Sequence, residues 1–126
     1  MESESVSSPQ ESVQARIERA MAELGSDGRW DGICLFSSDG LLMARHAESD
    51  DETALLETAI ALAGPVRDLK ERIQSPEIIV AGTGVLLVFR FFPAWEQDLI
   101  LAAVIRQRKG FRRCLSRLVR LIQSFE

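Results

Sequence analysis

The side chains able to do chemistry are few. The chain of 126 residues holds one histidine, two cysteines and no tyrosine. His46 stands just past an expected strand, beside Arg45 and before Glu48. No nucleophile neighbours it, so it reads as a surface histidine and not as a general base. Cys34 and Cys114 make no metal-ligand set with a single histidine, and both read as buried structural thiols. Asp50, Asp51 and Glu52 are adjacent, whereas paired catalytic carboxylates must flank a cleft. Gly82-Thr83-Gly84 lacks the lysine and spacing of a phosphate loop and the strand-to-helix setting of a dinucleotide fingerprint, so it reads as a turn. These residues argue against an enzyme, and they call for no cofactor and no metal.

What remains is the chemistry of surfaces. The formal net charge is −4, but residues 1–105 carry −10 and residues 106–126 carry +6. The basic residues of that last segment are Arg106, Arg108, Lys109, Arg112, Arg113, Arg117 and Arg120. On a helix, Arg113, Arg117 and Arg120 fall within about 60° of one another, opposite Phe111, Leu115, Leu118 and Ile122. Two readings are open. One is a basic surface for an acidic partner, a phosphate-rich polymer or an anionic membrane. The other is a solvated face favoured by the preference of helix C-termini for cations. Nucleic acid is disfavoured, because no aromatics interleave with the arginines and the chain as a whole is acidic. A second candidate is Phe91-Phe92-Pro93-Ala94-Trp95. Strand alternation sends one phenylalanine outward, which makes Phe92 and Trp95 candidate partner anchors. The plainer reading is that these rings close the end of a sheet.

The elements that position these residues follow from periodicity and punctuation. The length fits one domain, since a soluble domain spans roughly 100–200 residues, and 46% hydrophobic with 27% charged residues is an ordinary globular composition. The acidic start, residues 1–8, reads as a disordered tail, leaving 9–126 as the domain. It has neither the basic start nor the apolar stretch of a secretory signal. The longest apolar run, Leu99 to Ile105, is far short of the roughly 20 residues that span a bilayer. A cytoplasmic protein with reduced thiols is the expectation. Ser8, Pro9 and Glu11 mark a helix start, the stripe Val13, Ile17, Ala20, Met21 and Leu24 continues it, and Gly25 ends it. Strands are predicted over Gly32–Phe36 and Leu41–Arg45, joined through Asp39-Gly40. Ser49 to Glu52 reads as a capping box opening a helix that runs to about Gln74, with a kink or break near Ala63-Gly64 caused by Pro65. Strands over Glu77–Ala81, Val85–Phe92 and Leu99–Ile105 follow, with a loop over Pro93–Asp98. The last strand has no polar alternation, so it should be central and covered on both faces. Phe111, Leu115, Leu118, Ile122 and Phe125 complete an amphipathic C-terminal helix. The order is α-β-β-α-β-β-β-α, an α+β pattern.

This order, with the segment from Gly32 through Phe36, Asp39-Gly40 and on to Ala44, resembles the Roadblock family of dynein-light-chain relatives, which includes bacterial gliding-protein regulators. The resemblance spans roughly Val13 to Gln123. It implies a five-stranded antiparallel sheet in the order 2-1-5-4-3, with the first and last helices on one face and the middle helix on the other. It also implies dimerisation through the middle helix and third strand, and work with a Ras-like small GTPase or another Roadblock protein in place of stand-alone catalysis. The middle helix bears on this: its apolar residues cover about 80° to 240°, more than the ~100° stripe that one sheet requires, which reads either as room for a second helix or as alanine serving as a helix former with the extra Leu and Ile partly exposed. The expected dimer contacts are therefore Leu56, Ala59, Ile60, Ala63, Ile78 and Val80, and Ala63→Glu is expected to yield monomers. The alternative is an anion-surface binder, for nucleic acid or membrane, acting through Arg113, Arg117 and Arg120.

Overall fold

The computed structural model describes residues 12–26, 29–106 and 110–125. In chain order its elements are helix α1 (Val13–Leu24), strands β1 (Gly32–Ser37) and β2 (Leu42–Ala47), helices α2 (Asp50–Ala61) and α3 (Ala63–Ile73), strands β3 (Glu77–Gly82), β4 (Val85–Ala94) and β5 (Gln97–Ile105), and helix α4 (Phe111–Ser124). The strands form one antiparallel sheet in the order β2-β1-β5-β4-β3. This is the expected α+β class, with helices on both faces. The acidic stretch 1–8 and the Ser8–Glu11 start signal lie outside the described residues. The helix start that is described is at Ser12, whose hydroxyl oxygen accepts from the Ala15 N–H at 3.0 Å.

The sheet separates two cores. Ile17 and Met21 of α1 and Leu115, Leu118 and Ile122 of α4 pack with Trp30, Ile33 and Leu35 on one face. Leu56, Ala59, Ala63 and Val66 of α2 and α3 pack with Cys34, Phe36 and Phe89 on the other. Strand β5 serves both: Leu99, Leu101, Ala103 and Ile105 point to the first core, Ile100, Ala102 and Val104 to the second. From Leu99 to Ile105 every side chain is buried and no position is left for a polar residue, which is why that run does not alternate; Gln97 and Asp98 before it are exposed.

Of three local details, one is the expected break and two differ from expectation, each for a physical reason. The middle helix divides into α2 and α3 at Leu62. Pro65 has no N–H for the Ala61 carbonyl four residues earlier and its ring crowds that carbonyl, so the ladder stops and resumes with Val66 N–H donating to Leu62 O at 2.9 Å. The expected loop over Pro93–Asp98 is a two-residue turn. Strand β4 runs on through Pro93 and Ala94, which pair with Asp98 and Gln97, and Trp95 and Glu96 turn the chain with φ of 56° and 61°. Pro93 is tolerated because β3 has ended by Arg90 and β4 is an edge there. Gly25 does end α1, but its φ is −93°, so left-handed freedom is not its role. A Cβ at this position would stand 2.2 Å from Nε1 of Trp30, the buried indole whose N–H donates to Met21 O at 2.9 Å. The glycine makes room for the ring.

Candidate interaction surfaces

The two sheet edges are treated differently. On β2 the Arg45 N–H donates to Oε2 of Glu18 on α1 at 2.9 Å, so a helix side chain meets that edge at Arg45. On β3 four consecutive residues, Ile79 to Gly82, are exposed. Ile79 is 36% and Val80 40% accessible. Of the contacts expected from sequence, Leu56, Ala59, Ala63 and Ile78 are buried in the chain's own core, Ile60 is half-buried, and Val80 is exposed. Ala63→Glu would therefore attack folding and says little about an interface. Leu69 and Ile73, which are not among the expected contacts, leave 43% and 56% of their surface on the outside of α3. The expected contacts on the helix stop at Ala63; the spacing of four between Leu69 and Ile73 is the signal that was available beyond it.

The basic segment divides into bound and outward-facing arginines. Arg106 binds Glu52, Nη2 to Oε1 at 3.1 Å and Nε to Oε2 at 3.2 Å, while its N–H donates to Oδ2 of Asp31 at 3.0 Å. Glu52 thus pairs with the chain after β5 instead of completing the expected capping box, and Ser49 makes no side-chain cap bond. Arg112 Nε reaches Oε1 of Glu77 at 3.2 Å, and Oε2 of Glu77 takes Arg90 Nη2 at 2.6 Å. Burial alone would raise the Glu77 carboxyl. The hydrogen bonds and charges of Arg90, then of Arg112, outweigh burial and hold it below its ordinary value. Arg108 and Lys109 lie outside the described residues. Arg113, Arg117 and Arg120 are exposed on α4 and form no ion pair with another described residue.

The aromatic candidates close the sheet end. Phe92 is 6% exposed in the core beneath α1 and α4, so it is no surface anchor. Trp95 is half-buried, and its indole N–H donates to Ile122 O at 3.2 Å. It lines a notch of about 370 Å³ with Val13, Glu96 and Phe125. A wider groove between α3 and the end of β4 mixes Arg67 and Lys70 with Asp68, Glu71 and Asp98. Arg67 donates there to the Ser38 carbonyl, and Lys70 Nζ sits 5.7 Å from the Phe91 ring. His46 lies within β2, not past it, with Nε2 2.8 Å from Oε2 of Glu48. Burial pushes the Cys34 thiol up to about 12. Among the described residues no His, Cys, Asp and Glu group could hold a metal ion, and no helix is long and apolar enough to cross a membrane.

No family model matches the chain, and no curated protein matches its sequence. Solved structures do resemble it. MglB from Myxococcus xanthus superposes with a TM-score of 0.68 at 13% identity, over 91% of this chain and 90% of that one. The Roadblock/LC7 domain from Streptomyces avermitilis gives 0.60 at 18% identity, over 85% and 92%. The chain has the Roadblock fold. An MglB in a tetrameric arrangement also matches, at 0.66 and 11% identity over 90% and 89%. At such identities the likeness is one of backbone architecture. On this Roadblock fold the open β3 edge and the outward arginines of α4 are separate surfaces, the first beside α3 and the second on the α1/α4 layer.

Proposed function

We propose that the chain is a non-catalytic, homodimeric Roadblock-family module, a single domain over 9–126, that regulates or scaffolds a Ras-like small GTPase or a second Roadblock protein in the cytoplasm. The observation that carries this reading is the contrast between the sheet edges. On β2, Glu18 takes the Arg45 N–H; β3 exposes four consecutive residues, Ile79 to Gly82, at the other edge of the sheet. An open apolar edge is a template for pairing, and natural proteins cover such edges or pair them. In the dimer, two β3 strands meet edge to edge, flanked by Ile60, Leu69 and Ile73. Leu56, Ala59, Ala63 and Ile78 support that surface from beneath. The MglB likeness supports self-association, and the Roadblock resemblance supports the GTPase partner. The scarcity of acid, base and nucleophile supports a role without catalysis.

Light scattering tests the assembly. The wild type should elute at about 28 kDa, twice the 14.0 kDa chain, and Val80→Lys at the mass of one chain. A wild type that is monomeric at tens of micromolar, or a Val80→Lys variant that stays dimeric, overturns the interface. Calorimetric titration with a Ras-like GTPase of the same genome, loaded with GDP or with a non-hydrolysable GTP analogue, tests the partner. No heat in either state rejects it.

A further inference from the structure

We propose that the notch formed by Val13, Trp95, Glu96 and Phe125, continued by the arginines of α4, docks an acidic protein segment that carries one apolar anchor. The turn that builds it is strained. Trp95 and Glu96 both take left-handed φ, 56° and 61°, where glycine or asparagine is the usual choice. The pairing of the long flanking strands holds these residues there, and strain of this kind gathers at binding sites. Its effect here is to lay the indole against α4, with the N–H fixed on Ile122 O. Val13 and Leu121 add apolar surface at 40% and 38% exposure.

Charge selects the occupant. Arg113, Arg117, Leu121 and Phe125 follow at intervals of four and form one ridge along α4, leading from the basic end into the notch. Arg120 lies beside this ridge, and the Arg16 guanidinium stands 4.5 Å over the Phe125 ring. Against these cations the notch lining holds, among the described residues, one carboxylate, Glu96. An anionic membrane is the poorer fit, because residues 1–105 carry a net −10 and a broad anionic surface would be repelled by that body. A narrow peptide lies on the ridge and avoids it. At 1.5 Å per helical residue, Arg117 and Arg113 lie about 12 and 18 Å from Phe125. An extended segment at about 3.3 Å per residue meets them with acids roughly four and five to six residues from its anchor. This surface lies on the α1/α4 layer, so the proposal does not depend on dimerisation through β3.

The test is fluorescence anisotropy of the full chain with a labelled peptide in which one leucine is followed, four to six residues later, by glutamates in a Gly/Ser background. The same peptide with glutamines is the control. Saturable binding is expected, weakening as salt rises. It should weaken at least tenfold in Arg117→Glu/Arg120→Glu, in Val13→Glu, and with the glutamine peptide. All three substituted positions are exposed, and a glutamate at the first position of α1 suits the helix dipole, so far-ultraviolet circular dichroism and melting should be unchanged. Three results overturn the proposal: no saturable binding, equal affinity for Val13→Glu, and capture of the chain by phosphatidylserine vesicles with no binding to the peptide.

Discussion

Glu77 shows how much one residue can be asked to hold. Its two oxygens join β3 to Arg90 on the neighbouring strand and to Arg112 on α4, and Arg90 goes on to Ser116 Oγ at 2.8 Å. Because the folded carboxyl sits below its ordinary 4.5, it contributes stability that is present above that value. The contribution is lost as pH falls through the lower folded value. Glu77→Gln should therefore be less stable than wild type in urea at pH 7, with the difference shrinking below about pH 4; a gap constant with pH would remove the carboxylate from the account. Cys34 offers a second check. Its thiol, pushed up to about 12 by burial, should resist maleimide at pH 8 until the chain unfolds, while half-buried Cys114 reacts first. Gly25→Ala should cost about 1–3 kcal/mol by forcing the Trp30 indole off Met21 O, read as a lower urea midpoint. The pairings of Glu77 were not readable in the sequence, since its partners are remote, Arg112 being 35 residues away; Trp30 is close to Gly25 along the chain, but where its ring points is set by the core packed around it.

Among the elements, those with a strong local signal formed as expected. Asp39-Gly40 turns between β1 and β2, with Gly40 at φ 92°, and α4 buries Phe111, Leu115, Leu118 and Ile122. The β4–β5 turn did not announce itself, because Trp-Glu is not a turn sequence and the geometry is imposed by the pairing of the long flanking strands. Releasing that constraint is measurable. Glu96→Gly should raise stability by about 0.5–1 kcal/mol, seen as a higher urea midpoint at unchanged slope. A loss of stability would mean that Glu96 makes a compensating contact.

At the scale of the whole molecule, the sheet has one edge with four consecutive exposed residues and one where α1 supplies an acceptor. Glu18→Ala takes the acceptor from the Arg45 N–H and leaves both edges open. Such a variant should form species larger than the wild type in light scattering, growing with concentration, whereas an unchanged mass would show that the bulk of α1 suffices to shield β2. The split of charge works at the same scale. The average of −4 conceals an acidic body and a basic end, and the fold ties two of that end's arginines, Arg106 and Arg112, to Glu52 and Glu77.

The sequence by itself determined the class of the fold, the order of its elements, the central place of β5 and the break before α3, because each rests on local periodicity, a proline or a Gly turn. It also pointed to surfaces in place of an active site. Only the tertiary structure decided which apolar residues are outside. Four of six expected contacts went into the chain's own core, while Leu69, Ile73 and Ile79 emerged. It likewise decided which arginines remain outward and where Trp95 meets Val13 and Phe125. The reason is physical: burial and pairing depend on what stands opposite a residue, and those neighbours come from distant parts of the chain.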